Sequence, residues 1–215
     1  MALNLSTMAS DLILQALFIS TMIFLFLWML NIPQKFFNKI RYRDKSIYAA
    51  KRHFVLGAEL LSKSRLAKSR VEAANLAKSA ADHADKSISI DPKDAAAHIL
   101  KALAYDAQGF STSAVEAMDV ALSPLAIKSL SDDERSDALC KRAEIKVKGS
   151  GGVDGAVADL VEAVRLKGDN AVALKLLGEC YEKKEMKEEA GKAYKRWVEV
   201  EPESARAQAA LERLG

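Results

Sequence analysis

Turn-forming residues are scarce in this chain: 10 Gly and 4 Pro in 215 residues, with only 7% of the side chains aromatic. The shortage of glycine and proline excludes collagen-like and low-complexity classes. It also argues against an all-β protein, because Ala, Leu, Lys and Glu dominate and these are helix formers or poor strand formers. Cysteine is nearly absent. Cys140 and Cys180 stand alone, with no CxxC and no run of metal-ligand spacings. That excludes a disulfide-stapled secreted domain and points to a reducing compartment, with both thiols buried and inert. The three histidines, His53, His83 and His98, fall on different helices and read as packing or surface residues. No catalytic, cofactor-binding or metal-binding constellation is expected.

Charge is unevenly spread. Residues 35–70 carry eleven Lys or Arg against Asp44 and Glu59, whereas residues 71–215 carry twenty-one bases against twenty-six acids. Ahead of both lies an apolar head: from Leu12 to Leu30 every residue is apolar except Gln15, Ser20 and Thr21. A helix of that length would span about 30 Å, the thickness of a bilayer's hydrocarbon core. Trp28 near its end suits the interface. A cleavable signal peptide fits less well, since no Lys or Arg precedes the run and Asn31-Ile32-Pro33-Gln34 offers no small-residue cleavage site. A buried core helix would need a solvent face, which this run lacks.

The expectation is therefore a short tail (1–11), a transmembrane anchor (12–32), a basic juxtamembrane neck (33–45) and a long body (46–215). Lys35, Lys39, Arg41, Arg43 and Lys45 follow the head directly, which places the body in the cytosol. The expected localisation is a single-pass membrane protein of the endomembrane system or endoplasmic reticulum, with mitochondrial or plastid outer membranes as alternatives. The neck reads as a topology signal, with contact to anionic lipid headgroups as a second reading. Nucleic acid is not an expected partner, because no reading module accompanies the basic residues.

The body repeats. Its cleanest stretch is Leu174-x2-Leu177-Gly178-x2-Tyr181, then Ala190-x3-Tyr194, then Pro202. Small Gly178 and Ala190 fit a close helix crossing, the larger residues fill the space between the helices, and Pro202 stops the second helix. Ala80 to Ala114 and Ala156 to Ala190 span equal intervals, while Ala114 to Ala156 is longer by eight. The extra positions fall within Ser123–Ser131. Asp94, Asn170 and Ser204 stand where N-caps should be, and Ser131-x-x-Glu134 forms a capping box. The pattern resembles the tetratricopeptide repeat, a pair of antiparallel helices with a period of about 34 residues. Both equal intervals match that period. Here Leu174 stands for the usual Trp and Tyr194 for the usual Phe, and Trp197 departs from the small residue expected there.

The fold class expected is thus all-α: the transmembrane helix, then a short tetratricopeptide-like α-solenoid of antiparallel helix pairs. Its repeats fall at about 50–94, 95–130, 131–170 and 171–204, closed by a capping helix over 205–215. The first repeat is irregular. His53-x2-Leu56-Gly57-x2-Leu60 fits a first helix, but Ala80 lies much further past Gly57 than Ala190 lies past Gly178. Gly149-Ser150-Gly151-Gly152 is a turn rather than a phosphate loop, since it lacks a following Gly-Lys-Ser/Thr and joins helix to helix.

The resemblance implies a concave groove lined by the first helices and receiving a protein partner, as a peptide or a helix. Carried onto this chain it would be lined by Ile99, Leu103, Asp106, Lys141, Ile145, Lys148, Lys175, Glu179 and Lys183. That is an apolar floor with a basic middle, suited to a segment carrying some acid. Family members that bind Hsp70 or Hsp90 tails hold the C-terminal carboxylate with Lys, Asn and Arg. The matching places here hold Phe54, Ala58, Leu100, Ala138 and Arg142, so no such clamp is expected. The function expected is a non-enzymatic, membrane-anchored adapter. The alternative is a structural subunit whose solenoid is permanently covered in a membrane complex.

Overall fold

The computed structural model describes the backbone of residues 12–22, 32–149 and 152–214, with side chains over 12–22 and from 45 onward within those ranges. The chain divides into two units, Met1–Tyr48 and Ala49–Gly215.

The first unit corrects the membrane reading. Among the described residues no helix is long and apolar enough to cross a membrane. The helix that starts at Ile32 runs for 35 residues, but Lys and Arg recur along it from Lys35 to Arg65. The expected single-pass localisation, and the transmembrane helix in the fold class, are therefore not supported. Residues 1–11 and 23–31, and the neck side chains over 33–44, lie outside the described residues.

Among the described residues every regular element from Ile32 onward is helical: α1 (Ile32–Leu66), α2 (Arg70–Ile90), α3 (Ala95–Gln108), α4 (Ser111–Ala121), α5 (Asp132–Lys148), α6 (Val153–Leu166), α7 (Ala171–Lys183), α8 (Lys187–Val200) and α9 (Ala205–Glu212). Helices pack in sequence order, α2 on α3, α3 on α4, α5 on α6 and α7 on α8, with α5 also reaching α7. That adjacency is the signature of a solenoid, in which each repeat touches only its neighbours.

Alanine dominates the crossings. Ala77, Ala80, Ala81 and Ala84 are buried on α2, and Ala102, Ala104, Ala114 and Ala117 on α3 and α4. Small side chains let helix axes approach, and the larger residues interdigitate beside them. In the last repeats Leu160, Leu174, Tyr194 and Trp197 make that filling. Trp197, unusual by family pattern, is buried beside Tyr194 and donates its indole N–H to Glu201 Oε2 at 2.9 Å.

Polar residues fix the joints. Asp94 accepts from the Ala96 amide, and Asn170 from the Ala173 amide, each closing the open start of a helix. Ser131 and Glu134 form the full capping box at α5. Ser204 departs from expectation: its side chain makes no cap bond, and its backbone carbonyl accepts from Ala207 and Gln208 instead. The extra residues between α4 and α5 form a tight turn and a 3-10 helix, Ile127–Ser129. Ala126 packs with Ala95 and Ala121, and Ser129 Oγ accepts from the Ala95 amide at 3.0 Å.

Candidate functional site: a groove across α1, α3 and α5

Three first helices of successive repeats present matched stripes to one cavity. On α1 these are Phe54, Ala58, Leu61 and Arg65; on α3, Ala96, Ile99, Leu100 and Leu103; on α5, Glu134, Asp137, Ala138 and Lys141. Each stripe runs at spacings of three and four, which align on one helix face. Leu130, delivered by the turn before α5, completes the floor. The groove is open on one side and holds about 600 Å³, within the roughly 300–1,000 Å³ of ligand-binding pockets. Its centre is apolar and its charges sit at the rim: Arg65 on one wall, Glu134, Asp137 and Lys141 on another.

Those rim charges are not equally available. Glu134 is engaged in the capping box, and hydrogen bonds from Ser131 hold its carboxyl below the usual range. Lys141 lies 2.6 Å from Glu144, which also binds Lys148 at 2.8 Å. Burial pushes the Glu144 carboxyl up, but these two lysines outweigh it and hold the group ionised.

The residues expected to line a groove divide. Ile99, Leu103 and Lys141 line the cavity. Asp106, Lys148, Lys175, Glu179 and Lys183 do not. Lys175 and Glu179 pair along α7 at 3.7 Å, and Lys183 lies near the end of that helix. Ile145 needs correction, because it is fully buried against Ala102, Ala114, Ala117 and Met118. One turn past Lys141, α5 has rotated its apolar side into the α3–α4 core.

The places that hold a carboxylate in clamp-type family members have a different use here. Phe54, Ala58, Leu100 and Ala138 all line the cavity and make it apolar. Arg142, which alone matched, points its guanidinium at Asp159, at 2.6 and 2.9 Å, and at Asp119, at 2.7 Å. Lys146 adds a 2.8 Å contact to the buried Asp159. This is an internal ion-pair network that ties α4, α5 and α6 together.

Sequence reasoning missed the α1 wall, because the irregular first repeat hid its alignment with the others. The family places assigned to Phe54 and Ala58 were the signal that could have found it. It also missed the meeting of His53 and His83, whose Nδ1 atoms are 3.1 Å apart.

Residues 149–214 match the family model described as tetratricopeptide repeat. The C-terminal helix pairs are thus similar to tetratricopeptide repeats. Solved structures extend that fold over most of the chain. PilF of Pseudomonas aeruginosa superposes with a TM-score of 0.61 at 18% identity, covering 80% of this chain and 68% of its own. MamA of Desulfovibrio magneticus RS-1 gives a TM-score of 0.57 at 21% identity, over 77% of this chain and 83% of its own. YrrB, described as a TPR protein with an unusual peptide-binding site, gives 0.54 at 20% identity, over 72% and 74%. No curated protein sequence matches the chain. The cavity across α1, α3 and α5 therefore lies in a helical solenoid that shares this fold, N-terminal to the segment the family model matches.

Proposed function

We propose that this chain is a tetratricopeptide interaction module without catalytic activity, whose α1–α3–α5 groove receives one bulky apolar side chain of a partner peptide or helix. The observation that carries the reading is the apolar cavity of about 600 Å³. Its size suits an aliphatic or aromatic anchor, and burying one contributes about 1.5–3 kcal/mol. Arg65 has no ion-pair partner among the described residues, so it is the rim group that would receive an acidic neighbour of the anchor. A terminal carboxylate is not the recognised feature, because hydrocarbon occupies the places that would hold it. The peptide-binding site named for YrrB supports a peptide as the occupant.

Selection of random peptides against the full chain tests this. Enrichment of sequences with one fixed Leu, Ile, Phe or Trp near an Asp or Glu is expected, with at least tenfold weaker binding to an Ala58→Glu variant of unchanged helical circular dichroism. Enriched peptides that bind the Ala58→Glu protein equally well would place recognition elsewhere.

A further inference from the structure

His53 on α1 and His83 on α2 are far apart in the chain, and the helix crossing brings their Nδ1 atoms to 3.1 Å. Gly57 sets that approach. A Cβ at this position would stand 2.9 Å from Leu100 Cδ2, 3.1 Å from the Ala80 carbonyl oxygen and 3.2 Å from the His83 Cβ, so a larger residue would push α2 back by a few tenths of an ångström. The ring planes are inclined by 39° with centroids 5.3 Å apart, which directs the rings nitrogen to nitrogen rather than face to face. Both side chains are half-buried and so remain reachable from solvent.

We propose that His53 and His83 are the two protein ligands of a first-row divalent cation of the zinc or copper class, bound through both Nδ1 atoms with water in the remaining positions. Two imidazole nitrogens on a tetrahedral ion at 2.0–2.1 Å stand roughly 3.3–3.4 Å apart, close to the 3.1 Å seen here. In the metal-free pair one ring's Nδ1–H donates to the other's lone pair. On binding, that proton moves to the same ring's Nε2, both rings stay neutral, and both Nδ1 lone pairs face the ion. No net proton is released. His83 is already disposed to be neutral: burial, then Lys86 and His53, push its pKa below the ordinary value, with Asp82 acting in the opposite sense. Imidazole is the preferred side chain for ions of this class. Among the described residues no group of three or more His, Cys, Asp or Glu could hold a metal. The site is therefore open and of modest affinity, not a closed structural centre. An ion here would cross-link α1 to α2 beside Phe54, and so brace one wall of the cavity.

The test is thermal unfolding of the tag-free full chain in EDTA, in excess Zn²⁺ and in excess Mg²⁺. An ion that binds only the folded state shifts the folding equilibrium about 100-fold at a free concentration of 100 Kd. The expected result is a rise in Tm with Zn²⁺, none with Mg²⁺, and none with Zn²⁺ in His53→Gln or His83→Gln, while His98→Gln keeps it. A rise that survives in both pair variants, or no rise in the wild type, overturns the proposal. Should the variants fail to fold, Cu²⁺ electron paramagnetic resonance of the wild type decides. Hyperfine coupling to two ring nitrogens supports the pair, and coupling to none overturns it.

Discussion

The Tyr194 ring lies across Gly178, so that a Cβ at position 178 would stand 2.6 Å from the ring's Cδ1. Tyr194 is fully buried and its hydroxyl donates to Glu182 Oε2 at 3.1 Å, which leaves the ring no room to retreat. Gly178→Ala should therefore cost about 1–3 kcal/mol, the range for overpacking a filled core. Urea unfolding of the variant beside the wild type reads this. An unchanged midpoint would mean that α7 and α8 separate without cost.

Asp159 carries the charge balance of the α4–α5–α6 joint. Its side chain is 7% exposed and receives both Arg142 and Lys146. Asp159→Ala would leave Arg142 with Asp119 alone and Lys146 with only the Gly155 carbonyl oxygen, and should destabilise by about 3–5 kcal/mol. Replacing all three residues with apolar side chains of similar size should recover most of that loss. Denaturation of the single and triple variants separates the cost of unpaired charge from the worth of the network.

Ile145 and Lys141 stand one turn apart on α5 and should behave oppositely. Ile145→Ala removes a side chain with no exposed surface and should cost about 2–5 kcal/mol. Lys141→Ala removes a groove-lining side chain whose partner Glu144 keeps Lys148, and should change stability by under about 1 kcal/mol. Equal losses at the two positions would show that Lys141 supports the fold rather than the groove.

The thiols should be silent in the folded protein. Burial, with Asp137 adding to it, pushes the Cys140 thiol up to about 12, and burial raises Cys180 as well. In the unfolded chain both ionise near the ordinary cysteine value. The folded state thus binds the more protons above that value, and stability falls as pH rises from there towards the folded pKa. A disulfide-exchange dye at pH 8 should label neither thiol in buffer and both in denaturant. Fast labelling of the folded chain would contradict the burial of α5 and α7.

Much of the helical solenoid was legible in the sequence, because repetition multiplies weak signals. A small residue facing an aromatic, as at Gly178 and Tyr194, is ambiguous once and informative when the small residue returns at a fixed interval. The caps Asp94 and Asn170 were readable for a local reason: a helix start needs an acceptor close to it along the chain. Ile145 was misplaced because α5 packs on two sides. Stepping one turn from Lys141 therefore arrives in a core and not in the groove. His53 and His83 were opaque because their distance depends on the register of α1 against α2, and the first repeat's spacing departs from the period that fixes register elsewhere.

Ser129 closes the start of α3 from across the chain, although it lies after α4. That bond, with Ala126 seated on Ala95 and Ala121, makes the extra residues a clasp that fastens the second repeat to itself before the third begins. The array thereby acquires a seam. Melting that starts at α9 and travels inward meets a repeat secured at both ends, so loss of order at the C-terminus can stop short of α3. The α1 and α3 walls of the cavity would then outlast the repeats by which the family is recognised.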